Sequence, residues 1–173
     1  MSTPDLTALR LLLFDVDGVL TDGSIVVNAD GTESKQFNIR DGAAMVWARR
    51  SGLTIGLLSA RSADATSVRA MQLGIEIVIQ GAGNKLLGFE QILRDTQLEP
   101  SQVGYMGDDL QDLPVMRRTA FAAAPADAAP EVRRAAHWVS QAAGGRGAVR
   151  EFIEHVLRAR GEWDAAVGDY LRP

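Results

Sequence analysis

The sequence predicts an α/β fold in which a parallel sheet lies between two layers of helices. Short, almost unbroken apolar runs alternate with segments of helical periodicity along the chain. Strands of this kind are typical of parallel sheets that are buried on both faces. A length of 173 residues is that of one domain, so we expect residues 1–173 to form a single Rossmann-like unit.

The first half of the chain supplies three predicted strands, a hairpin and two helices. A buried strand over 11–15 precedes a hairpin over 24–37, in which an Asp-Gly pair forms the turn. The next helix is predicted to begin with Asp41 as its N-cap and to stop at Gly52. The other elements of this half are a strand over 53–60, a helix over 62–74 and a strand over 75–81.

The second half continues the alternation and contains the most clearly amphipathic segment of the chain. Apolar side chains recur every three or four residues between 149 and 157, which predicts a helix that buries one face. The tail over 161–173 shows no clear period, so we expect it to be loosely held. The remaining elements are a helix over 84–98, a strand over 103–109, a short helix over 110–118, a strand over 119–125, a helix over 130–137 and a strand over 137–140.

Composition and charge exclude several classes of protein and site. Cysteine is absent, which excludes a disulfide framework, a thiolate zinc site and a cysteine nucleophile. The net charge of −4 gives no sign of nucleic-acid binding, so we expect no such partner. No apolar run reaches the roughly 20 residues of a membrane span, and no signal peptide is recognisable. We therefore expect a soluble, cytoplasmic protein with no membrane partner.

Polar side chains follow the predicted strands at the points where those strands end. Asp15 and Asp17 end the first strand, Ser59 the second and Asp108 the fourth, and Lys85 begins the helix after the third. The carboxyl ends of parallel strands share one edge of the sheet, where ligands bind in open α/β folds. We therefore expect these five side chains, although far apart in sequence, to converge on one site.

The acids among them predict a cation site. Asp15, Asp17 and Asp108 crowded together would raise one another's pKa values, and a divalent ion would remove that repulsion. All the ligands are oxygens, which favours a hard ion, and Mg²⁺ fits best because it takes few carboxylates and keeps several waters. Lys85 adds positive charge and Ser59 a hydroxyl donor for phosphoryl oxygens. One acid can then attack phosphorus while the other moves a proton.

Three nearby residues complete this prediction. Gly18 permits a close backbone approach and an unusual φ. Asp109 and Asp112 lie near a predicted helix start, where the helix dipole favours acids. The sequence leaves open whether these two acids orient the site or only cap the helix.

Taken in order, the motifs resemble those of the haloacid dehalogenase superfamily of phosphotransferases. They are DVDGV at 15–19, Ser59, Lys85 and GDDLQD at 107–112. Over about residues 11–157 the chain is also similar to the family of 3-deoxy-D-manno-octulosonate 8-phosphate phosphatases, through LTDG, FNIRDG, GNKL, GYMGDDLQDLPVM and GGRGAVRE. It departs from that family at Ser59 and Ala60, where many relatives carry Thr and Gly.

The resemblance implies a Mg²⁺-dependent phosphatase of lipopolysaccharide biosynthesis that releases a sugar acid through an aspartyl-phosphate. In this pattern Asp15 is the nucleophile, Asp17 is the general acid/base, and Ser59 and Lys85 hold the phosphoryl group. The implied metal ligands are Asp15, Asp108 and the backbone carbonyl of Asp17. The implied substrate contacts come from Asp17, Asn38, Ile39, Arg40, Asp41, Gly42, Arg61, Arg69 and Lys85.

The predicted hairpin bears on assembly, because it is the only insert and no cap domain is present. An open site would be wet, which weakens charge interactions, and a lone hairpin is marginally stable in water. The resemblance implies a homotetramer, in which we expect the hairpin to pack against other copies and a neighbouring subunit to close the site. Arg146, in a glycine-flanked loop, is expected to reach the site as part of a mobile lid.

Three alternative functions remain open at this stage. A phosphatase of sialic acid 9-phosphates would share the motifs, since pocket shape rather than motif sets that choice. A receiver domain would need an acid after the third strand, where the chain has Gln80 and Gly81. A non-catalytic oligomerisation module is opposed by the intact set of acids and lysine.

Overall fold

A six-stranded parallel sheet forms the centre of the computed structural model, which describes residues 4–171. In chain order the strands are β1 (Leu11–Phe14), β2 (Val26–Val27), β3 (Glu33–Ser34), β4 (Thr54–Leu58), β5 (Ile77–Ile79), β6 (Val103–Met106), β7 (Phe121–Ala124) and β8 (Trp138–Val139). The main sheet has the order β5-β4-β1-β6-β7-β8, while β2 and β3 form a separate antiparallel pair. The predicted hairpin insert is therefore present.

Helices cover both faces of this sheet. They are α1 (Ile39–Arg50), α2 (Asp64–Leu73), α3 (Lys85–Thr96), α4 (Leu113–Met116), α5 (Pro130–Ala135), α6 (Ala148–Ala159) and α7 (Trp163–Leu171). Side chains of β1 alternate between two cores: Leu12 and Phe14 pack with α1, α6 and α7, and Leu11 and Leu13 pack with α3, α4 and α5. The predicted α/β sandwich is confirmed. Among the residues described, no helix combines the length and apolar surface needed to cross a bilayer.

The strand order fixes where a ligand can bind. From β1 the chain moves outward through β4 and β5, and then returns to the other side of β1 to add β6, β7 and β8. Strand order thus reverses between β1 and β6, and such a switch point is where open α/β sheets bind ligands. The register pairs Phe14 with Met106, so Asp15 and Gly107 lie at the same level of the sheet.

The start of α1 differs from the prediction. The N-cap is Asn38, whose side-chain oxygen accepts a hydrogen bond from Arg40 N at 2.8 Å. Asp41 lies inside the first turn, and its Oδ1 accepts a bond from Arg150 N at 2.8 Å, near the start of α6. Both residue types favour N-caps, and Asp41 caps a different helix from the one predicted.

The tail also differs from the prediction of a loosely held segment. Within the described part it forms α7, whose Trp163 packs edge-on against Trp47 with ring centroids 5.8 Å apart. Val167 is buried in the same core, and the Arg150 guanidinium lies 4.3 Å from the Trp47 ring centroid. Aromatic and cation–π packing therefore holds α7 on α1 and α6.

Candidate active site

A buried network of charged side chains lies where β1 and β6 end. Asp15 directly follows β1 and is only 2% exposed. The Nζ of Lys85 lies 2.7 Å from Asp15 Oδ2 and 2.6 Å from Asp112 Oδ1. Burial opposes the charge on this ammonium, but the two carboxylates outweigh it and raise the pKa of Lys85. Lys85 therefore stays protonated at the first position of α3, where a helix alone would disfavour a cation.

Asp112 organises this network. Its Oδ1 accepts hydrogen bonds from the Lys85 ammonium and, at 2.5 Å, from the Tyr105 hydroxyl. Its Oδ2 accepts bonds from the backbone N–H groups of Asp108 at 3.0 Å and Asp109 at 3.1 Å. Because four donors occupy its two oxygens, Asp112 orients Lys85 and the turn after β6. The side chain of Asp109 instead accepts a bond from Leu110 N at 2.8 Å and caps the short 3-10 turn.

Asp108 lies beside Asp15 with an oxygen free for a ligand. Carboxylate oxygens of Asp15, Asp108 and Asp112 all lie within 4.8 Å of one another. Among the described residues, Asp108 Oδ1 is buried and has no hydrogen-bond partner. Gly18, at φ +83°, closes the other side, since a Cβ there would lie 2.0 Å from Asp108 Oδ2. A side chain at position 18 would therefore fill the space around this carboxylate.

The electrostatics of these acids favour a cation. Burial, together with the charge of Asp112, raises the pKa of Asp15 to about 6. Burial and the charge of Asp15 raise the pKa of Asp108 to about 8. Both carboxylates therefore resist ionisation even beside the Lys85 ammonium, and a further positive charge would favour their ionised forms. The all-oxygen donor set fits Mg²⁺, which Asp15 and Asp108 would hold, because four donors fill both oxygens of Asp112 whereas each oxygen of Asp15 has one partner among the described residues. The backbone carbonyl of Asp17 as a further ligand stays a prediction.

Asp17 lies on the rim of this network and meets a partner that sequence reasoning missed. Its Oδ1 accepts a hydrogen bond from the ammonium of Lys35, which directly follows β3 of the hairpin. Its Oδ2 is buried and has no hydrogen-bond partner among the described residues, and Arg61 Nε lies 3.8 Å away. The hairpin therefore folds onto the site of its own chain.

Ser59 occupies the predicted place at the end of β4, the strand next to β1. It is 2% exposed, and its backbone is held by bonds from Ser59 N to Ile79 O at 2.9 Å and from Ala82 N to Ser59 O at 3.0 Å. Its hydroxyl oxygen accepts a bond from Arg61 N at 3.3 Å. Within residues 4–171 the hydroxyl hydrogen has no acceptor, so it can donate to a ligand.

The glycine-rich loop lies directly against the first motif. Gly145 N donates to Val19 O at 2.9 Å, and a Cβ on Gly144 would lie 1.8 Å from Gly18 O. The Arg146 guanidinium lies 3.1 Å from the Asp22 carboxylate. These contacts hold the loop against the first motif, and its role as a mobile lid stays a prediction.

Some of the predicted substrate-contacting residues lie around a cavity of about 210 Å³ next to this loop. Asn38 donates to Gly145 O at 3.3 Å at the cavity wall. Ile39 is 81% exposed there. The cavity is lined by Asp22, Gln36, Phe37, Asn38, Ile39, Gly145 and Arg146.

The other predicted contacts are spread more widely. The side chain of Asp41 is 1% exposed, and its Oδ1 accepts a bond from Arg150 N of α6; its contact with substrate stays a prediction. Gly42 packs closely against Arg69. A Cβ added at position 42 would lie only 2.4 Å from Arg69 Nη2. Arg40 is exposed, and Arg61 pairs with Glu33 of the hairpin at 2.6 Å.

Known proteins share this fold and these motifs. Residues 56–153 match the family described as haloacid dehalogenase-like hydrolase. The chain is 42% identical over 163 residues to the 3-deoxy-D-manno-octulosonate 8-phosphate phosphatase KdsC of Escherichia coli K12, covering 94% of this chain and 87% of that protein.

Solved structures agree with this similarity. A probable YrbI family phosphatase from Pseudomonas syringae is 44% identical with a TM-score of 0.94, covering 98% of both chains. The 3-deoxy-D-manno-octulosonate 8-phosphate phosphatase of Moraxella catarrhalis, solved with magnesium ion, phosphate ion and a KDO molecule, is 33% identical with a TM-score of 0.93. That similarity covers 96% of this chain and 95% of that one. The chain therefore belongs to the 3-deoxy-D-manno-octulosonate 8-phosphate phosphatase family of haloacid dehalogenase-like hydrolases.

Proposed function

We propose that this protein is a Mg²⁺-dependent phosphatase that hydrolyses 3-deoxy-D-manno-octulosonate 8-phosphate to the free sugar acid and phosphate, in lipopolysaccharide biosynthesis. The observation that carries the chemistry is the contact of Asp15 with Lys85 at 2.7 Å, next to a buried, unpartnered oxygen of Asp108. The substrate comes from the relatives, which are named for that activity or contain the sugar acid.

In the proposed first step, a carboxylate oxygen of Asp15 forms a bond to phosphorus and the bond from phosphorus to the sugar oxygen breaks. Asp17 gives its proton to that oxygen, which leaves as the sugar hydroxyl. In the second step, water attacks the aspartyl-phosphate, Asp17 takes the water proton, and inorganic phosphate and free Asp15 result. Over the whole cycle Asp17 regains the proton that it gave, and the phosphoryl group leaves Asp15 as inorganic phosphate.

The proposed phosphoryl site consists of the groups that surround Asp15. The Lys85 ammonium and the Ser59 hydroxyl can donate to phosphoryl oxygens, and both are buried and fixed before substrate arrives. Mg²⁺ held by Asp15 and Asp108 would supply the charge that brings an anionic phosphate close to a carboxylate nucleophile. Exclusion of water strengthens each of these interactions.

The proposed sugar site lies on the rim, towards Asp17 and the cavity beside the glycine-rich loop. Arg61 stands at its edge with 47% of its side chain exposed. Arg40 and Arg69, with Asn38 and Ile39, are the further proposed contacts. Exposed guanidinium groups suit recognition of the sugar carboxylate, because they bind carboxylates in a bidentate manner.

We also propose a cytoplasmic homotetramer in which a neighbouring subunit closes the site. The hairpin supports this assembly, because Val26 and Val27 are 59% and 66% exposed at its surface, next to the exposed Ile25. Apolar side chains gathered on a small hairpin are typical of surfaces that bind another protein. The lack of cysteine fits a reducing compartment, and cell fractionation would test the location.

Phosphate release from a panel of sugar phosphates tests the proposed function. We expect 3-deoxy-D-manno-octulosonate 8-phosphate to give the highest kcat/KM with Mg²⁺, and a chelator to abolish turnover. The variant Asp15→Asn should lose about 10³-fold or more in kcat, as removal of a nucleophile does elsewhere. Preference for a sialic acid 9-phosphate would overturn the substrate assignment, and full turnover by Asp15→Asn would overturn the nucleophile.

A further inference from the structure

The two lysines of this chain are both buried against proposed catalytic carboxylates. Lys35 and Lys85 are the only lysines among its 18 lysine and arginine residues. Each side chain is 1% exposed; Lys85 contacts Asp15, and Lys35 contacts Asp17. Lys85 belongs to a recognised motif and has a place in the proposed reaction. Lys35 has none so far.

Burial of Lys35 is unusual for this side chain. Lysines ordinarily extend their ammonium groups into water, and they are almost never buried without a partner. An ammonium has three donors and no acceptor. Among residues 4–171, its one hydrogen-bond partner is Asp17 Oδ1. Within the part of the chain that the structure describes, Lys35 is therefore committed to Asp17.

This contact distinguishes the two oxygens of Asp17. Because Lys35 can only donate, the Oδ1 that it holds must act as an acceptor. The proton that Asp17 gives to a leaving group then has to reside on Oδ2. That oxygen is buried, accepts no hydrogen bond within the described residues, and lies 3.8 Å from Arg61 Nε. The contact with Lys35 thus leaves Oδ2 as the oxygen of Asp17 that is available to carry a proton.

The hairpin has the geometry to place Lys35 reliably. Glu33 and Lys35 are two residues apart along β3 and its extension, so they share one face. Glu33 anchors that face to Arg61 at 2.6 Å. Two ion pairs therefore fasten the hairpin over the rim: Lys35 holds Asp17 directly, and Glu33 holds Arg61, whose Nε lies 3.8 Å from the other oxygen of Asp17.

We propose that Lys35 is the positioning residue of the acid/base: it holds Oδ1 of Asp17 so that Oδ2 delivers the proton to the leaving sugar oxygen. This inference rests on the proposed function. It predicts that Lys35 matters most for substrates whose leaving group needs a proton. A sugar alkoxide is such a group, whereas p-nitrophenolate leaves with little protonation.

The test compares kcat/KM for 3-deoxy-D-manno-octulosonate 8-phosphate and p-nitrophenyl phosphate in the wild type and Lys35→Met. We expect a fall of about 10²-fold for the sugar phosphate, near the lower end of general-acid contributions, and a fall of less than about 3-fold for the aryl phosphate. Lys35→Arg keeps a donor, so it should recover part of the kcat/KM that Lys35→Met loses on the sugar phosphate. Inhibition by inorganic phosphate should stay unchanged, because Lys35 acts on Asp17 and not on the phosphoryl site.

Two further variants separate positioning from a purely structural role. Ser34→Ala, in the same strand but exposed, should behave as wild type. Glu33→Gln loosens the anchor that places Lys35, so it should lower kcat/KM more for the sugar phosphate than for the aryl phosphate, by a smaller factor than Lys35→Met. Equal losses for both substrates in Lys35→Met, or no loss at all, would overturn the inference.

Failure of the proposed function would appear separately, in the wild type, as no turnover of 3-deoxy-D-manno-octulosonate 8-phosphate. The comparison with the aryl phosphate would then use whichever sugar phosphate of the panel the wild type hydrolyses. Lys35→Gln, with circular dichroism on every variant, provides a second substitution if Lys35→Met does not fold. The role of Lys35 is thus decided in either case.

Discussion

Gly18 shows how single atoms define this site. It adopts φ +83°, and a Cβ there would lie 2.0 Å from Asp108 Oδ2. The sequence predicted that Gly18 permits close approach, and the structure identifies the group that approaches. Two effects of a side chain can be separated at this position: backbone strain and collision with the carboxylate.

Substituting Gly18→Ala should abolish most Mg²⁺ affinity and lower kcat/KM by about 10²-fold, a size seen when a site is displaced by about 1 Å. Calorimetric titration with Mg²⁺ and a turnover assay would measure both effects. Gly52→Ala is the matched control, because Gly52 has the same φ of +83° with nothing within 4 Å of its Cβ position. It should cost about 1 kcal/mol of stability and leave activity unchanged. Equal activity losses in both variants would contradict this explanation.

The raised pKa values of Asp15 and Asp108 predict how pH affects the metal-free protein. Burial and mutual repulsion raise these pKa values to about 6 and about 8, from 3.8. Between about pH 4 and pH 8 the folded chain therefore binds more protons than the unfolded chain, and its free energy of unfolding falls as pH rises. Mg²⁺ needs the ionised carboxylates, so it should stabilise more at pH 8 than at pH 5.

Thermal unfolding from pH 5 to 8, with chelator and with Mg²⁺, would measure this dependence. Without metal the Tm should fall towards pH 8, and saturating Mg²⁺ should flatten or reverse the slope. Asp108→Asn removes one of the two acids and should reduce the slope. A Tm that rises with pH in chelator would contradict the pKa directions.

Predictability from sequence differed among the residues of the site. Asp15, Ser59, Lys85 and Asp108 could be placed because each follows or precedes a strand of recognisable type. Lys35 could not, because its contact depends on how the hairpin folds back over the rim. The one signal in the sequence was the residue type: lysine is rare in this chain, and one of its two lysines stands two residues after Glu33.

At the scale of elements, α7 shows what a sequence pattern can conceal. Trp163, Ala166, Val167 and Tyr170 follow the i, i+3, i+4, i+7 spacing of an amphipathic helix, yet the tail appeared aperiodic. The small residues between them dilute the pattern. The start of α1 was misplaced for another reason: Asn38 and Asp41 are equally good caps, and only tertiary packing assigns Asp41 to α6.

Trp163→Ala should destabilise the protein by about 2 kcal/mol, because it removes an aromatic contact with Trp47 from a partly buried position. Urea unfolding followed by circular dichroism would measure the change. Met71→Ala, at a side chain that is 72% exposed on α2, should change stability by less than about 0.5 kcal/mol. If Trp163→Ala were equally neutral, α7 would contribute nothing to the fold.

For the whole molecule, assembly is the property that periodicity and motifs determine least. Strand order follows from the alternation of strands and helices, whereas a tetramer depends on which surfaces meet. The exposed valines of the hairpin are the surface that the proposed tetramer would bury.

Val27→Asp should convert the tetramer into smaller species and lower kcat/KM, because a charge buried in an apolar interface has no partner. Deleting residues 28–34 should give a weak or inactive monomer, because it removes the turn of the hairpin and β3. Analytical ultracentrifugation would determine the mass of each species. Val68→Asp, on α2 and 48% exposed, is the control that should remain tetrameric. A tetrameric, fully active Val27→Asp protein would exclude the hairpin as the interface.

The close packing of Gly144 and Gly145 against the loop after β1 has a consequence for how the protein is synthesised. The nucleophile is translated early, yet the backbone that supports its loop lies in the last fifth of the chain, and Asp108 emerges in between. A nascent polypeptide on the ribosome therefore cannot assemble a competent centre from its amino-terminal half. Catalysis would begin only when translation is nearly complete.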